Sequence, residues 1–209
     1  MKPGHRKPLR RGAPAFCLPG PKRRFSRGYL PHFNIPNLVQ SITFRLADSL
    51  PQEALDKITR ELAARPESER QAERERRIAT YLDAGHGACW LKEPHVASLV
   101  ESALLHFDGQ RYRLLAWCVM PNHVHVLVEM KDGFPLAEIV HSWKSFTANE
   151  VNKILSRTGD FWQREYHDRF VRDDDHYRNV LAYIENNPVK AGLAKSADAW
   201  RHSSAWGQR

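Results

Sequence analysis

The segment Cys118–Met130, CVMPNHVHVLVEM, sets the reading of the whole chain. It has the form of one strand ending, a tight Met-Pro-Asn turn, and a second strand that carries His123 and His125. Residues two apart on a strand share a face, about 6.6 Å from each other along it. Both imidazoles can therefore converge on one ion, while Val124, Val126 and Val128 take the opposite, buried face. His-x-His also arises from packing alone, so the metal reading needs the rest of the chain.

At 209 residues the chain is long enough for one domain with extensions. A hydrophobic content of 42% and a charged content of 27% describe an ordinary globular protein. No apolar run reaches the roughly 18 residues a membrane span needs, and no apolar stretch at the N-terminus could serve as a secretory signal. An intracellular, cytoplasmic protein is expected. Three cysteines, Cys17, Cys89 and Cys118, lack C-x-x-C spacing, which argues against a disulfide framework and a cysteine-rich zinc module. Cys118 reads as a small apolar side chain on a buried strand.

The net charge of +8 is unevenly spread. Residues 1–33 hold nine Lys/Arg and no Asp or Glu, so removing them leaves the remainder at −1. A basic arm over residues 1–34, broken by Pro3, Pro8, Pro14, Pro19 and Pro21, is expected to have little regular structure. Such an arm suits a polyanion, because phosphates neutralised by Lys/Arg release counterions. Only the aromatics of GYLPHF are expected to dock on the body at residues 35–209.

In that body Leu38–Leu46 alternates apolar and polar residues and reads as a strand. Two helical pieces follow within Pro51–Gly87, the second strongly charged; this region reads as an exposed insertion. Pro94–Phe107 is an amphipathic helix, closed by Asp108-Gly109. Arg111–Val119 and His123–Met130 form a hairpin. Leu136–Leu155 is a second helix, with Leu136, Ile139, Val140, Trp143, Phe146 and Val151 inward. Phe161–Val171 reads as a fourth strand. A last helix starts at Asp173–Asp175, where carboxylates suit the positive end of the helix dipole, and stops near Asn187 before Pro188. Strand, helix, strand, strand, helix, strand is the order of an α+β, ferredoxin-like split β-α-β sandwich: one four-stranded antiparallel sheet with both helices on one face, plus an additional C-terminal helix.

On that last helix Tyr183 and Asn187 lie four residues apart and so stand one above the other beside the stripe of Tyr177, Val180, Leu181 and Ile184. The runs MPNHVHVLVE, WKSFTANEVN and YIENNPVKAGL, with ITFRLADSLP and GHGACWL upstream, together resemble the single-tyrosine HUH transposases, and among them the REP-associated tyrosine transposases. The resemblance covers about residues 28–206. It implies that His123 and His125 bind a divalent cation, Mg²⁺ or Mn²⁺, with Asn187 as third ligand and Tyr183 as nucleophile. It implies further that Tyr183 attacks single-stranded DNA to give a 5′-phosphotyrosine and a free 3′-hydroxyl. The implied partners are hairpins of REP-like palindromes, met by a monomer or a homodimer.

Lys144, Ser145 and Thr147, off the apolar stripe of their helix, together with Arg164, Arg169, Arg172 and Lys190, are candidate DNA contacts. Tyr177, on its own apolar stripe, reads as core. Glu129 shares the histidine face but lies about 13 Å from His125 along the strand. The competing reading is a non-catalytic nucleic-acid-binding protein that keeps the fold and binds through its basic arm.

Overall fold

The computed structural model describes residues 24–26, 31–33 and 38–207. Most of the expected basic arm lies outside these residues. Its described part departs from the expectation of little regular structure: β1 (Arg24–Ser26) and β2 (Pro31–Phe33) pair antiparallel.

β3 (Val39–Arg45) opens the central sheet. Then come α1 (Gln52–Leu62) and α2 (Glu67–Asp83). A single 3-10 turn, Trp90–Lys92, leads into α3 (Pro94–His106). The hairpin is β4 (Tyr112–Val119) and β5 (His123–Met130), and α4 (Leu136–Ile154) follows it. β6 (His167–Phe170) and α5 (Asp174–Lys190) complete the chain's main elements. The sheet order is β4-β5-β3-β6, with all neighbours antiparallel. This is the split β-α-β arrangement that the order of elements led us to expect.

The two faces of the sheet do different work. Ile42 and Phe44 on β3, with Val124, Val126, Val128 and Met130 on β5, pack under α3 and α4. Phe44 stands edge-on to Trp162 at 4.8 Å and beside Trp143 at 6.5 Å. Each such side chain contributes about 1.5–3 kcal/mol by leaving water. The opposite face carries the histidines. There Val39, Ala116, Leu127, Tyr177 and Ile184 form a smaller apolar cluster that seats α5.

Four expectations need correction. The fourth strand is shorter than Phe161–Val171. Phe161 and Trp162 turn into the core, and only an isolated bridge joins Leu46 to Trp162 before β6 begins. α5 runs through Pro188 to Lys190 rather than ending at Asn187. Proline removes one amide from the last turn and leaves later ones free: the Ala191 amide donates to the Asn187 carbonyl, and the Leu193 amide to that of Pro188. On α4, Phe146 is 50% exposed rather than inward. Thr147 takes the inward place: its hydroxyl donates to the Trp143 carbonyl and accepts from the Trp162 indole.

Candidate active site

His123 and His125 leave the site face of β5 opposite Arg45 and Thr43 of β3. Both are buried, at 1% and 5% exposure, and their Nε2 atoms lie 3.0 Å apart. Their outer nitrogens are held by neighbours. His123 Nδ1 is 2.7 Å from Asn122 Oδ1, and Asn122 Nδ2 donates to the His86 carbonyl at 2.9 Å. With its amide so oriented, Asn122 offers an acceptor, so His123 carries its proton on Nδ1 and leaves Nε2 bare. His125 Nδ1 is 2.9 Å from the Thr43 hydroxyl.

The His86 carbonyl is in turn fixed by a tight turn. At Gly87, φ is +87°, and an added Cβ would stand 2.9 Å from the Asp48 carbonyl oxygen. Only glycine fits that approach. Asp48 also accepts the Ala88 amide at 2.8 Å.

Burial pushes both imidazoles down. His125 falls to about 3, with Lys190's charge adding to the effect. His123 falls well below its ordinary value through burial and then the nearness of His125. Both are neutral bases at physiological pH, the form in which imidazole binds metals.

α5 brings the remaining groups. The Tyr183 ring meets the His125 ring edge to face at 5.4 Å. One turn later, Asn187 Nδ2 stands 3.2 Å from His125 Nε2, while Asn187 Oδ1 is sealed from solvent without a hydrogen-bond partner. Burial raises the Tyr183 phenol, and the charge of Asp83 raises it further; Lys190 and Asn187 oppose them. The Lys190 ammonium sits 5.3 Å from the Tyr183 ring centroid and pairs with Asp83 at 3.1 Å. The other Asp83 oxygen is 3.9 Å from His123 Nε2, also sealed and without a hydrogen-bond partner. Three separate stretches of sequence thus meet at one point.

Residues 93–187 match the model of the family described as IS200-like transposases. A protein of Haemophilus influenzae, provisionally named a REP-associated tyrosine transposase, is 29% identical over 103 residues, covering 44% of this chain and 58% of its own length. The REP-associated tyrosine transposase of Escherichia coli K12 is 26% identical over 96 residues, covering 44% and 54%. The chain therefore spans little more than half the length of these relatives. In fold, it superposes with a TM-score of 0.57 and 17% identity on a REP-associated tyrosine transposase solved bound to a REP hairpin. That match covers 85% of this chain and 82% of the other. The chain resembles the REP-associated tyrosine transposases.

In this transposase-like framework the four residues singled out for chemistry, His123, His125, Tyr183 and Asn187, converge. Tyr177 lies in the core, 7% exposed. Glu129 is engaged by Arg113 at 2.7 Å. The candidate DNA contacts are scattered. Lys144 and Ser145 sit on α4, across the sheet from Tyr183, and the Lys144 ammonium donates to the carbonyls of Gln163 and Arg164. Burial pushes Lys144 down to about 8. The Arg164 and Arg172 side chains are exposed. Arg169 and His167 on β6 are held by Glu75 of α2.

Sequence reasoning missed Asp83, Asn122, Thr43 and Arg45. Asn122 directly precedes the first histidine, and a second tether for His123 could have been sought there. Thr43 and Arg45 become neighbours of the histidines only through the β3–β5 register. Asp83 closes a charged helix that reads as solvated surface.

Proposed function

We propose that the protein is a divalent-cation-dependent single-strand DNA endonuclease and strand transferase that uses Tyr183 as nucleophile. The observation that carries this reading is the pairing of Tyr183 with Asn187 on α5, both against His125 of the buried histidine pair.

The donor set fits a hard cation. His123 Nε2 is bare and lies 3.0 Å from His125 Nε2, so a proton or a cation belongs between them; a cation meets both lone pairs when His125 carries its proton on Nδ1, toward the Thr43 hydroxyl. Adjacent ligands of an octahedral ion with bonds of about 2.1 Å stand about 3 Å apart. A tetrahedral zinc ion, with similar bonds, spaces them at about 3.4 Å. The orphaned Asn187 oxygen supplies a third donor. Thr43 and Asn122 are the groups that keep each ring turned. Bound there, such an ion would polarise a phosphate oxygen and offset the charge that develops on it.

The chain's own residues do the rest. Tyr183 is 38% exposed, which leaves the side chain open to an incoming strand; its proton passes to solvent. That oxygen forms a bond to phosphorus as the bond from phosphorus to the 3′-oxygen breaks. The 5′ end stays on the tyrosine, and the 3′-oxygen leaves as a hydroxyl after taking a proton from solvent. One phosphodiester replaces another, so the step is roughly energy-neutral and reversible. Lys190 opposes the rise that burial and Asp83 impose on the phenol. The substrate is single-stranded DNA folded as a hairpin. The relative of the same fold that was solved on a REP hairpin supports this choice.

The test is a labelled single-stranded hairpin oligonucleotide incubated with protein and Mn²⁺, then resolved on a denaturing gel. A covalent adduct is expected, absent in Tyr183→Phe and with EDTA. Tight binding without any adduct or cleavage in either Mg²⁺ or Mn²⁺ refutes the catalytic reading and favours a binding protein of the same fold.

A further inference from the structure

Two hydrogen-bond acceptors face each other beside the histidine pair. Asp83, the last residue of α2, places its Oδ1 atom 3.9 Å from His123 Nε2. His123 keeps its one proton on Nδ1, toward Asn122, so its Nε2 offers the carboxylate only a lone pair. The Asp83 side chain is 11% exposed, and Oδ1 itself is sealed from solvent without a hydrogen-bond partner. The other oxygen holds Lys190 at 3.1 Å. A buried acceptor left bare costs folding free energy, and most native ones find a partner. The end of α2 is firmly fixed. Glu75, on the same helix, is bound by His167 and Arg169 of β6. On either side of Asp83 in sequence, the Tyr81 ring stacks on the His86 ring at 4.0 Å, and the His86 carbonyl is the one that Asn122 grips.

Facing lone pairs call for a positive group between them. The reading above puts a divalent cation on His123, His125 and Asn187, a donor set with no charge of its own. Hard cations such as Mg²⁺ and Mn²⁺ favour carboxylate oxygen and water. At 3.9 Å from His123 Nε2, Asp83 Oδ1 stands beyond the roughly 3 Å that separates adjacent ligands of such an ion. It is placed instead to accept a hydrogen bond from the ion's water of hydration, which Mg²⁺ gives up reluctantly. We infer that Asp83 is the counter-charge of the cation site, a positioning residue that holds the ion from beyond bonding distance. The inference rests on the transferase reading and adds to it a carboxylate from outside the histidine strand and the tyrosine helix. One oxygen of Asp83 serves the cation while the other fixes Lys190, whose ammonium lies 5.3 Å from the Tyr183 ring centroid. It also gives the segment Pro51–Gly87 a purpose, since α2 ends at the site.

The probe is Mn²⁺ alone, titrated into protein freed of metal with EDTA and then dialysed, with the unbound ion read by its electron paramagnetic resonance signal. Asp83→Asn keeps the shape of the side chain and removes its charge; it is expected to weaken Mn²⁺ binding about tenfold. His125→Ala, which removes a ligand, should abolish that binding. Glu61→Gln, a carboxylate on α1 that pairs with Arg77, should bind Mn²⁺ as the wild type does. Lys190→Met separates the two duties of Asp83. The tenfold loss should recur when Asp83→Asn is made in a Lys190→Met background. Near-ultraviolet circular dichroism establishes that each variant is folded, and Asp83→Ser takes the place of Asp83→Asn if the latter is not.

Undiminished Mn²⁺ affinity in Asp83→Asn, where His125→Ala has lost it, overturns the counter-charge and leaves the transferase reading intact. A loss that vanishes in the Lys190→Met background does the same, since Asp83 would then act only through Lys190. A wild-type chain that binds no Mn²⁺, or binds it no better than His125→Ala, overturns both.

Discussion

Acid should unfold this protein through its two site histidines, and the size of the effect follows from their burial. His125 titrates near 6.5 in an unfolded chain and near 3 in the folded one. Its folded pKa is depressed, so the unfolded chain takes up the proton first. The stability present above pH 6.5 is then lost steadily until the folded form also protonates near 3. Each pH unit in that window costs about 1.4 kcal/mol. Between pH 7.5 and 5.0 His125 therefore removes about 2 kcal/mol, and His123, depressed by burial and then by His125, adds a loss of the same sign. Urea unfolding at the two pH values, with EDTA present to exclude bound cations, measures the total. His125→Gln cannot titrate, so its loss over the same interval should be smaller than that of the wild type by about 2 kcal/mol. If both proteins lose the same amount, His125 is not buried as a neutral base, and the donor set argued above falls with it.

Tyr183→Phe should abolish the covalent adduct while moving the urea stability by less than about 0.5 kcal/mol, because the residue is 38% exposed; a large loss of stability would make Tyr183 a packing residue. Tyr112→Phe should cost about 1–3 kcal/mol for each buried partner left unsatisfied. Its hydroxyl donates to the Leu104 carbonyl at 2.7 Å and accepts from the Trp143 indole at 2.9 Å, and an unchanged urea midpoint would refute that network. Phe44→Ala, at the centre of the larger core cluster, should cost about 3–5 kcal/mol. A loss under about 1 kcal/mol in urea would mean that Trp143 and Trp162 close over the gap.

Periodicity made much of this fold legible. His123–Met130 announces itself as a strand because valines alternate with the residues of the other face, and the structure gives the strand those same bounds. The spacing of Tyr183 and Asn187 places both on one side of a helix, and both do meet the histidine face. Local pattern fails where long-range contacts decide. Phe161 and Trp162 have the composition of a strand, yet the core beneath Phe44 takes their rings and breaks the ladder. Phe146 fits the apolar stripe of α4, but Thr147 wins the inward place through hydrogen bonds to Trp143 and Trp162 that no periodicity encodes.

The same limit explains the larger omission, α2. Its arginines and glutamates at i, i+3 and i+4 look like a helix stabilised by its own surface pairs, and several are so paired. What matters lies in the exceptions. Glu75 fastens the helix to β6, and Asp83 stops 3.9 Å from His123. In a charged helix the informative residue is the one whose charge has no local partner. Recognising it takes the tertiary contacts, His167 of β6 for Glu75 and His123 of β5 for Asp83, that turn a surface helix into one wall of the site.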